Sequence, residues 1–260
     1  MSRRGRVGVL GVGVDRITVE GLHAELARLV WRRDGTVLNA NAHCLNLCHE
    51  DEGLRGFFAG ADVVFCDGAG VRLAARMLGD HLPERITYAD WLPRLATLAE
   101  ERGFTLFFLG ARPGVAGEAA RRLRRSHPGL KITGVRHGFF DHGAGSPENG
   151  TVVAEINAAR PDILLVGLGM PLQERWLMEN HHRLDVGVAL TGGAVFDYAS
   201  GRLRRGPRVL TENGFEWLAR LLVEPRRLWR RYVLGNPLFL ARVLTQRWRE
   251  GVSYRKKGEM

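Results

Sequence analysis

The sequence predicts an α/β protein: a mostly parallel sheet flanked by helices, with a basic helical appendage at its C-terminal end. Three observations predict it. Apolar runs such as 105–109 and 163–166 are hydrophobic at nearly every position, the pattern of strands buried on both faces. Several of these runs alternate with segments of helical spacing, an alternation that builds parallel pairs. Charge is also unevenly placed. Of the 38 basic and 28 acidic residues, 15 and 5 lie from Arg202 onward, so the whole net charge of +10 falls in that tail. A general basic bias would spread along the chain, whereas a confined one marks a surface that meets an anionic partner. The expected division is therefore an α/β core over 1–201 and an appendage over 202–260.

Taken in order, the chain opens with a strand at 7–10. Leu22, Leu26, Leu29 and Val30 then recur at helical spacing within 18–32. A short strand at 36–38 delivers Asn39 and Asn41, two amides placed either to hydrogen-bond a polyhydroxyl or base ligand or to build a turn. A helix is expected over 43–60 and a strand over 61–67. The strand runs out in Val63-Val64-Phe65-Cys66-Asp67-Gly68-Ala69-Gly70, and a helix follows over 71–78. Asp67 thus stands at the carboxyl end of a strand, where open α/β sheets bind ligands. It is either the cap of the following helix or a catalytic carboxylate.

Arg85 lies in a loop before a helix over 91–102, able to fork onto a phosphate or to pair with a carboxylate. The strand at 105–109 enters a glycine turn and a helix reaching Arg125, an anion-binding arrangement that lacks the dinucleotide spacing. Further strands are expected at 130–135, 163–166 and 186–190, with helices over 152–159 and through Asn180. Asn39, Asn41, Asp67, Gln173 and Asp197 all come just after a strand end. In a parallel sheet such ends converge on one crevice. In the tail, helical segments over 214–222, 226–229 and 238–248 are rich in Trp, Leu and Arg, with breaks expected at Pro225 and Asn236-Pro237. Trp and Leu opposite Arg suit a helix lying in a membrane interface; the alternative is an apolar side packed on the core.

Several classes are excluded. Cys44, Cys48 and Cys66 cannot all pair, and no second pair completes a zinc site, so reduced core thiols are expected. No run is long enough to span a membrane, and the apolar run at 7–14 is too short and glycine-rich for a secretory signal. A nicotinamide-dependent oxidoreductase should carry Gly-x-Gly-x-x-Gly after its first strand, and Gly11-Val12-Gly13 lacks the third glycine. A nucleic-acid-binding protein would account for the basic tail but not for amides and carboxylates gathered at strand ends, so no nucleic-acid partner is expected.

An ordered set of motifs goes further. Asp67-Gly68-x-Gly70, Arg85-Ile86-Thr87, His137-Gly138-Phe139-Phe140, Gly167-Leu168-Gly169-x-Pro171-x-Gln173-Glu174, Gly214-x-Glu216-Trp217-x-x-Arg220-Leu221 and Glu224-Pro225-x-Arg227-Leu228-x-Arg230-Arg231-Tyr232 occur in sequence. Together they resemble the WecG/TagA/CpsF family of bacterial glycosyltransferases. The resemblance implies a Rossmann-like core and transfer of an N-acetylmannosamine-like sugar from a UDP-sugar. The implied acceptor is a polyprenyl-diphosphate-linked sugar, at the cytoplasmic face of the cell membrane. It also implies an anionic membrane surface as partner and leaves self-association open. By position, Asp67 matches the family's proposed base, with Asp197 as the internal rival. Asn41 and Arg85 match site residues, and Gln173 and Asp197 fall on the remaining pocket positions. Arg220, Arg227 and Arg230 match arginines of the appendage. Asn39 stands where some members carry Thr, and Tyr88 where a glycine is usual. No cofactor is implied, and the chain contains no Asp-x-Asp pair for a divalent ion.

Overall fold

The computed structural model describes residues 5–207, 210–211 and 214–258, with the side chains of 252–258 left aside. The chain begins with an antiparallel hairpin, β1 (Arg6–Val9) and β2 (Val12–Asp15). The expected single strand at 7–10 therefore ends one residue early. Leu10 and Gly11 both take positive φ, 50° and 83°, the conformation of a two-residue hairpin turn, and the chain doubles back.

The main sheet has six strands, all parallel: β3 (Gly35–Ala40), β4 (Val63–Cys66), β5 (Thr105–Gly110), β6 (Lys131–Arg136), β7 (Ile163–Gly167) and β8 (Val188–Thr191), in the spatial order β4-β3-β8-β7-β5-β6. Its apolar residues alternate between two cores. Phe65, Leu106, Phe108, Leu165 and Leu190 face α1 (Val19–Arg32), α5 (Tyr88–Arg102) and α6 (Val115–Ser126). On the opposite face, Leu38 and Val64 pack with α2 (Ala42–Glu50), α3 (Glu52–Gly60) and α4 (Ala69–Met77). Further along that face Phe107, Leu109 and Leu164 pack with α7 (Pro147–Ala159) and α8 (Leu172–Asn180). Helices on both faces explain why the strands read as unbroken apolar runs. The hairpin covers the β4 edge, where Asp15 Oδ2 accepts a 2.7 Å hydrogen bond from Val64 N. The three cysteines are buried and free.

Two expected boundaries move for local reasons. The helix expected over 43–60 is two helices, because Asp51 adopts extended backbone and its side chain caps α3 by accepting from Leu54 N at 3.0 Å. In the tail, a short helix α9 (Val195–Ala199) precedes α10 (Glu216–Val223) and α11 (Pro225–Trp229). The chain then runs on through a π-helical turn, Arg230–Leu234, into α12 (Gly235–Gly258). Pro225 sits in the first turn of α11 as expected, but Asn236-Pro237 does not break the helix. Pro237 has no N–H to donate and its ring crowds the preceding turn, and a widened turn just before it accommodates both.

The long helix lies across α2, α4 and the hairpin. Phe239 and Val243 join the core cluster that holds Leu38, Cys44 and Val71. Asn46 Nδ2 donates to Gly235 O at 2.8 Å, Arg242 Nη1 to Asn46 Oδ1 at 3.1 Å, and Gln246 Nε2 to Gly8 O at 2.9 Å. The tail's apolar side is therefore divided between core packing and an exposed remainder.

Strands β5 and β7 approach most closely at their carboxyl ends. Gly110 has φ of 142°, and a Cβ built there would lie 2.3 Å from the Gly167 carbonyl oxygen. Neither the backbone nor the neighbour can yield. Gly110→Ala should destabilise the fold by more than about 2 kcal/mol, read as a lowered urea midpoint at unchanged slope.

Candidate active site

The carboxyl ends of β3, β4 and β8 open into one cavity of about 1310 Å³, roofed by the tail. That volume exceeds the usual range for a single small ligand and suits two substrates. Asp67 lies on its wall at the end of β4. Gly68, with φ of 110°, turns the chain sharply after it and is itself the N-cap of α4, with no side-chain cap bond. The Asp67 carboxylate is thus not engaged in capping. Asn39 Nδ2 instead donates to Asp67 Oδ2 at 2.7 Å. Asn39 is held in turn, since Thr191 Oγ1 on β8 donates to Asn39 Oδ1 at 3.0 Å. Burial lifts the Asp67 carboxyl to about 6; Glu216 adds to the rise, while Asn39, Arg231 and Arg220 oppose it. A carboxyl poised near neutrality at the end of a strand is suited to take a proton from a substrate hydroxyl.

The other expected residues divide. Asn39 and Asn41 both line the cavity. Asn41 also caps α2, its Oδ1 accepting from Cys44 N at 3.1 Å, so the turn-building reading of that amide holds as well. Arg85 lines the cavity and donates from Nη2 to Thr211 O at 2.9 Å. Arg220 lines it too, with its guanidinium over the Tyr198 ring at 5.6 Å. Arg227 and Arg230 are on the wall near the tail, the first paired with Glu224 at 2.5 Å and the second over the Trp229 ring at 5.4 Å.

Gln173 and Asp197 are not on the cavity wall. Gln173 is fully buried behind it, where its Oε1 accepts from Gly193 N at 2.9 Å and Gly169 N at 3.3 Å. It thereby ties the loops after β7 and β8, which do line the cavity. Asp197 sits on α9 beside Tyr198; burial raises its carboxyl, and Arg227 and Arg202 oppose the rise. The anion-binding arrangement expected at 110–117 likewise contributes nothing to this wall.

Arg231, His43 and Tyr88 on the wall, and Glu174 behind it, were not among the expected site residues. Arg231 is half-buried on the wall, its Nη2 3.4 Å from Asn41 Oδ1. Burial depresses its guanidinium, with Tyr232 and Asp67 among the groups opposing the shift. His43 is held neutral, down at about 4, by burial and the Arg231 charge. Tyr88 lines the cavity and packs against Phe65 and Trp91, with its hydroxyl buried. Glu174, buried beside Gln173, takes a 2.7 Å bond from Gln173 Nε2. Among the described residues, the buried side-chain polar atoms without a hydrogen-bond partner include Tyr88 Oη, Arg220 Nε, Arg231 Nε and Glu174 Oε2, all at or directly behind this cavity. Native interiors rarely leave such atoms unpaired, so their concentration here points to a polar ligand, and the two guanidinium nitrogens suit an anionic group on it. A repeated Arg in a basic helix gave the sequence no means of separating Arg231 from its neighbours.

Comparison with known proteins accords with this geometry. The model of the glycosyl transferase WecG/TagA/CpsF family matches residues 7–253. The chain belongs to that family. It is 30% identical over 222 residues to an N-acetylglucosaminyldiphosphoundecaprenol N-acetyl-beta-D-mannosaminyltransferase of Bacillus spizizenii, covering 85% of this chain and 83% of that one. It is 25% identical over 246 residues to the protein of the same name in Staphylococcus aureus, covering 93% of each. Membership in a glycosyl transferase family sets aside both the nicotinamide and the nucleic-acid readings. It also accords with a cavity that gathers the Asp67 carboxylate, several amides and several guanidiniums, with Glu50 and Glu216 on the same wall.

Glu174 provides a test of how the wall is held. Burial lifts its carboxyl to about 7, against the bond from Gln173, its own helix backbone and Arg231. The folded chain therefore keeps a proton that the unfolded chain loses near the ordinary value, and stability falls as pH rises through the interval between them. Glu174→Gln keeps the acceptor for Gln173 and removes the ionisation. Relative to the parent, the variant should gain stability between pH 5 and pH 8, by roughly 1–3 kcal/mol in urea unfolding. An identical difference at both pH values would show that Glu174 does not titrate in that window.

Proposed function

We propose that the enzyme transfers an N-acetylmannosamine-like sugar from a UDP-sugar to a polyprenyl-diphosphate-linked saccharide, by direct displacement with inversion and without a metal ion. The observation that carries this reading is the pairing of Asp67, oriented by Asn39 and raised to about 6, with Arg220 and Arg231 across one cavity. The relatives' names supply the acceptor and sugar class. In the step proposed, the acceptor hydroxyl oxygen forms a bond to the anomeric carbon while its proton passes to an Asp67 oxygen. The bond from the anomeric carbon to the UDP oxygen breaks, and its electron pair leaves with UDP. The growing charge on the diphosphate is met by Arg220 and Arg231, with Arg85 on the same wall. Asp67 is the wall carboxylate held by Asn39 and serves as base in this reading, with Glu216 on the same wall raising its affinity for the proton; no covalent nucleophile is invoked, so the route is one displacement. Asp197 is the weaker candidate for the base because it lies off the cavity wall.

The tail's role is part of the proposal. Among the described residues no helix is long and apolar enough to cross a membrane. Leu222, Val223, Trp229 and Val233 are exposed, with Arg226 and Arg230 among them. This supports peripheral attachment to an anionic bilayer, on the cytoplasmic face, where basic residues and interfacial aromatics act together. In this reading 202–260 both attaches the enzyme and closes the site.

The test is a UDP-release assay with UDP-N-acetylmannosamine and a short-chain GlcNAc-diphosphate lipid. Asp67→Asn should lower turnover by about 10²–10⁴-fold with UDP affinity little changed. For the parent, log kcat/KM should rise with pH up to about 6 and then level, because only the ionised carboxylate accepts the proton. Near-parental turnover in Asp67→Asn, or a collapse confined to Asp197→Asn, would transfer the base role away from Asp67. Rates should also survive excess EDTA; loss with chelator and recovery with Mg²⁺ would sink the arginine account of the leaving group.

A further inference from the structure

The cavity does not end at the polar site. It is also lined by Leu73 of α4 and by Phe215 and Leu238 from the tail. These three side chains are 46%, 48% and 44% exposed, although they line the same cavity as Asp67. The helices meet closely beneath them. A Cβ on Gly70 would lie 3.9 Å from Phe239 Cε1, and one on Gly214 would lie 2.8 Å from Ala69 Cβ, so α4 is flanked on one side by α12 and on the other by the Phe215 loop. At the far end of α4, Arg247 donates to Met77 O. From the cavity mouth an exposed stripe runs along α12 through Leu238, Ala241 and Thr245 to Trp248, continuing from Leu234 at i, i+4, i+7 spacing. Leu234 to Trp248 covers about 21 Å of helix axis.

One cavity thus gathers the Asp67 carboxylate, the guanidiniums of Arg220 and Arg231, and the apolar side chains of Leu73, Phe215 and Leu238. A polyprenyl-diphosphate-linked sugar combines the complementary parts: hydroxyl, diphosphate and hydrocarbon. We propose that the groove between α4 and the tail, lined by Leu73, Phe215 and Leu238, holds the first isoprene units of the acceptor's chain and directs the rest along the α12 stripe. The inference rests on the proposed acceptor, and it assigns the hydrocarbon to one bound lipid rather than to the bilayer surface. Leu73 favours that choice because it belongs to α4 and the cavity wall, not to the exposed tail surface of Leu222 and Trp229.

The test is binding of farnesyl diphosphate and of inorganic diphosphate to the full-length protein by calorimetry, without membranes. The parent should bind farnesyl diphosphate at least about tenfold tighter than diphosphate, since several buried methylenes separate the two ligands. The double variant Leu73→Ser with Leu238→Ser should lose that preference while keeping its diphosphate affinity. Both positions are half exposed, so the fold should be retained; a parental urea midpoint checks it. Leu222→Ser with Trp229→Ser should weaken co-sedimentation with anionic vesicles but leave the farnesyl preference intact. If the parent shows no preference, or if the Leu222/Trp229 pair removes it and the Leu73/Leu238 pair does not, the groove assignment is wrong. If the preference is present but no sugar is transferred to any acceptor, the proposed function fails while the groove stands.

Discussion

The 2.7 Å hydrogen bond from Asn39 to Asp67 joins the ends of β3 and β4, and the bond from Thr191 to Asn39 extends the chain to β8. Three neighbouring strands of a parallel sheet are thus coupled at their carboxyl ends through two hydrogen bonds among three side chains. A carboxylate there sits in partial burial, which penalises its charge, and the amide of Asn39 supplies the compensating donor. The balance of these opposing effects leaves Asp67 near neutrality, able to exist in either form. A carboxylate in open solvent would be a weaker base, and one buried without Asn39 would stay protonated.

Around that carboxylate the charge is unbalanced in the other sense. Arg220 and Arg231 are both enclosed, and each keeps an Nε without a partner. Desolvating a guanidinium without full pairing is costly, and a fold tolerates it where a ligand completes the set. The same arginines reach Asp67 through space and hold its rise in check. The Asp67 carboxylate and the two guanidiniums are therefore one electrostatic unit. Behind it, Gln173 fastens the β7 and β8 loops from outside the cavity lining.

The tail makes that unit possible. Arg220 and Arg231 come from α10 and the π-helical turn, so the core alone would leave Asp67 facing solvent. Phe239 and Val243 anchor the long helix into the same core as Leu38, which fixes where the arginines are presented. The widened turn ahead of Pro237 itself carries Arg230 and Arg231 and joins them directly to the anchored helix. Its placement determines the rotation of Arg230 and Arg231 relative to the cavity.

Much was legible from the chain alone. Periodicity determined the strands, because burial on both sheet faces demands apolar residues throughout. The strand-end rule determined that Asn39, Asn41 and Asp67 share a crevice. Confined charge determined that the tail differs in kind. Local chemistry was harder to read: Leu10-Gly11 turned a strand into a hairpin, Asp51 split a helix, and Pro237 was absorbed rather than ending one. Only the tertiary structure decided that Asp67 does not cap α4, that Gln173 and Asp197 lie off the cavity, and that Arg231 is half-buried beside Asn41. These outcomes depend on which side chain faces which neighbour across elements far apart in sequence. Propensity and spacing describe a residue's own segment, whereas burial, pairing and the resulting shifts in charge are properties of the space between segments.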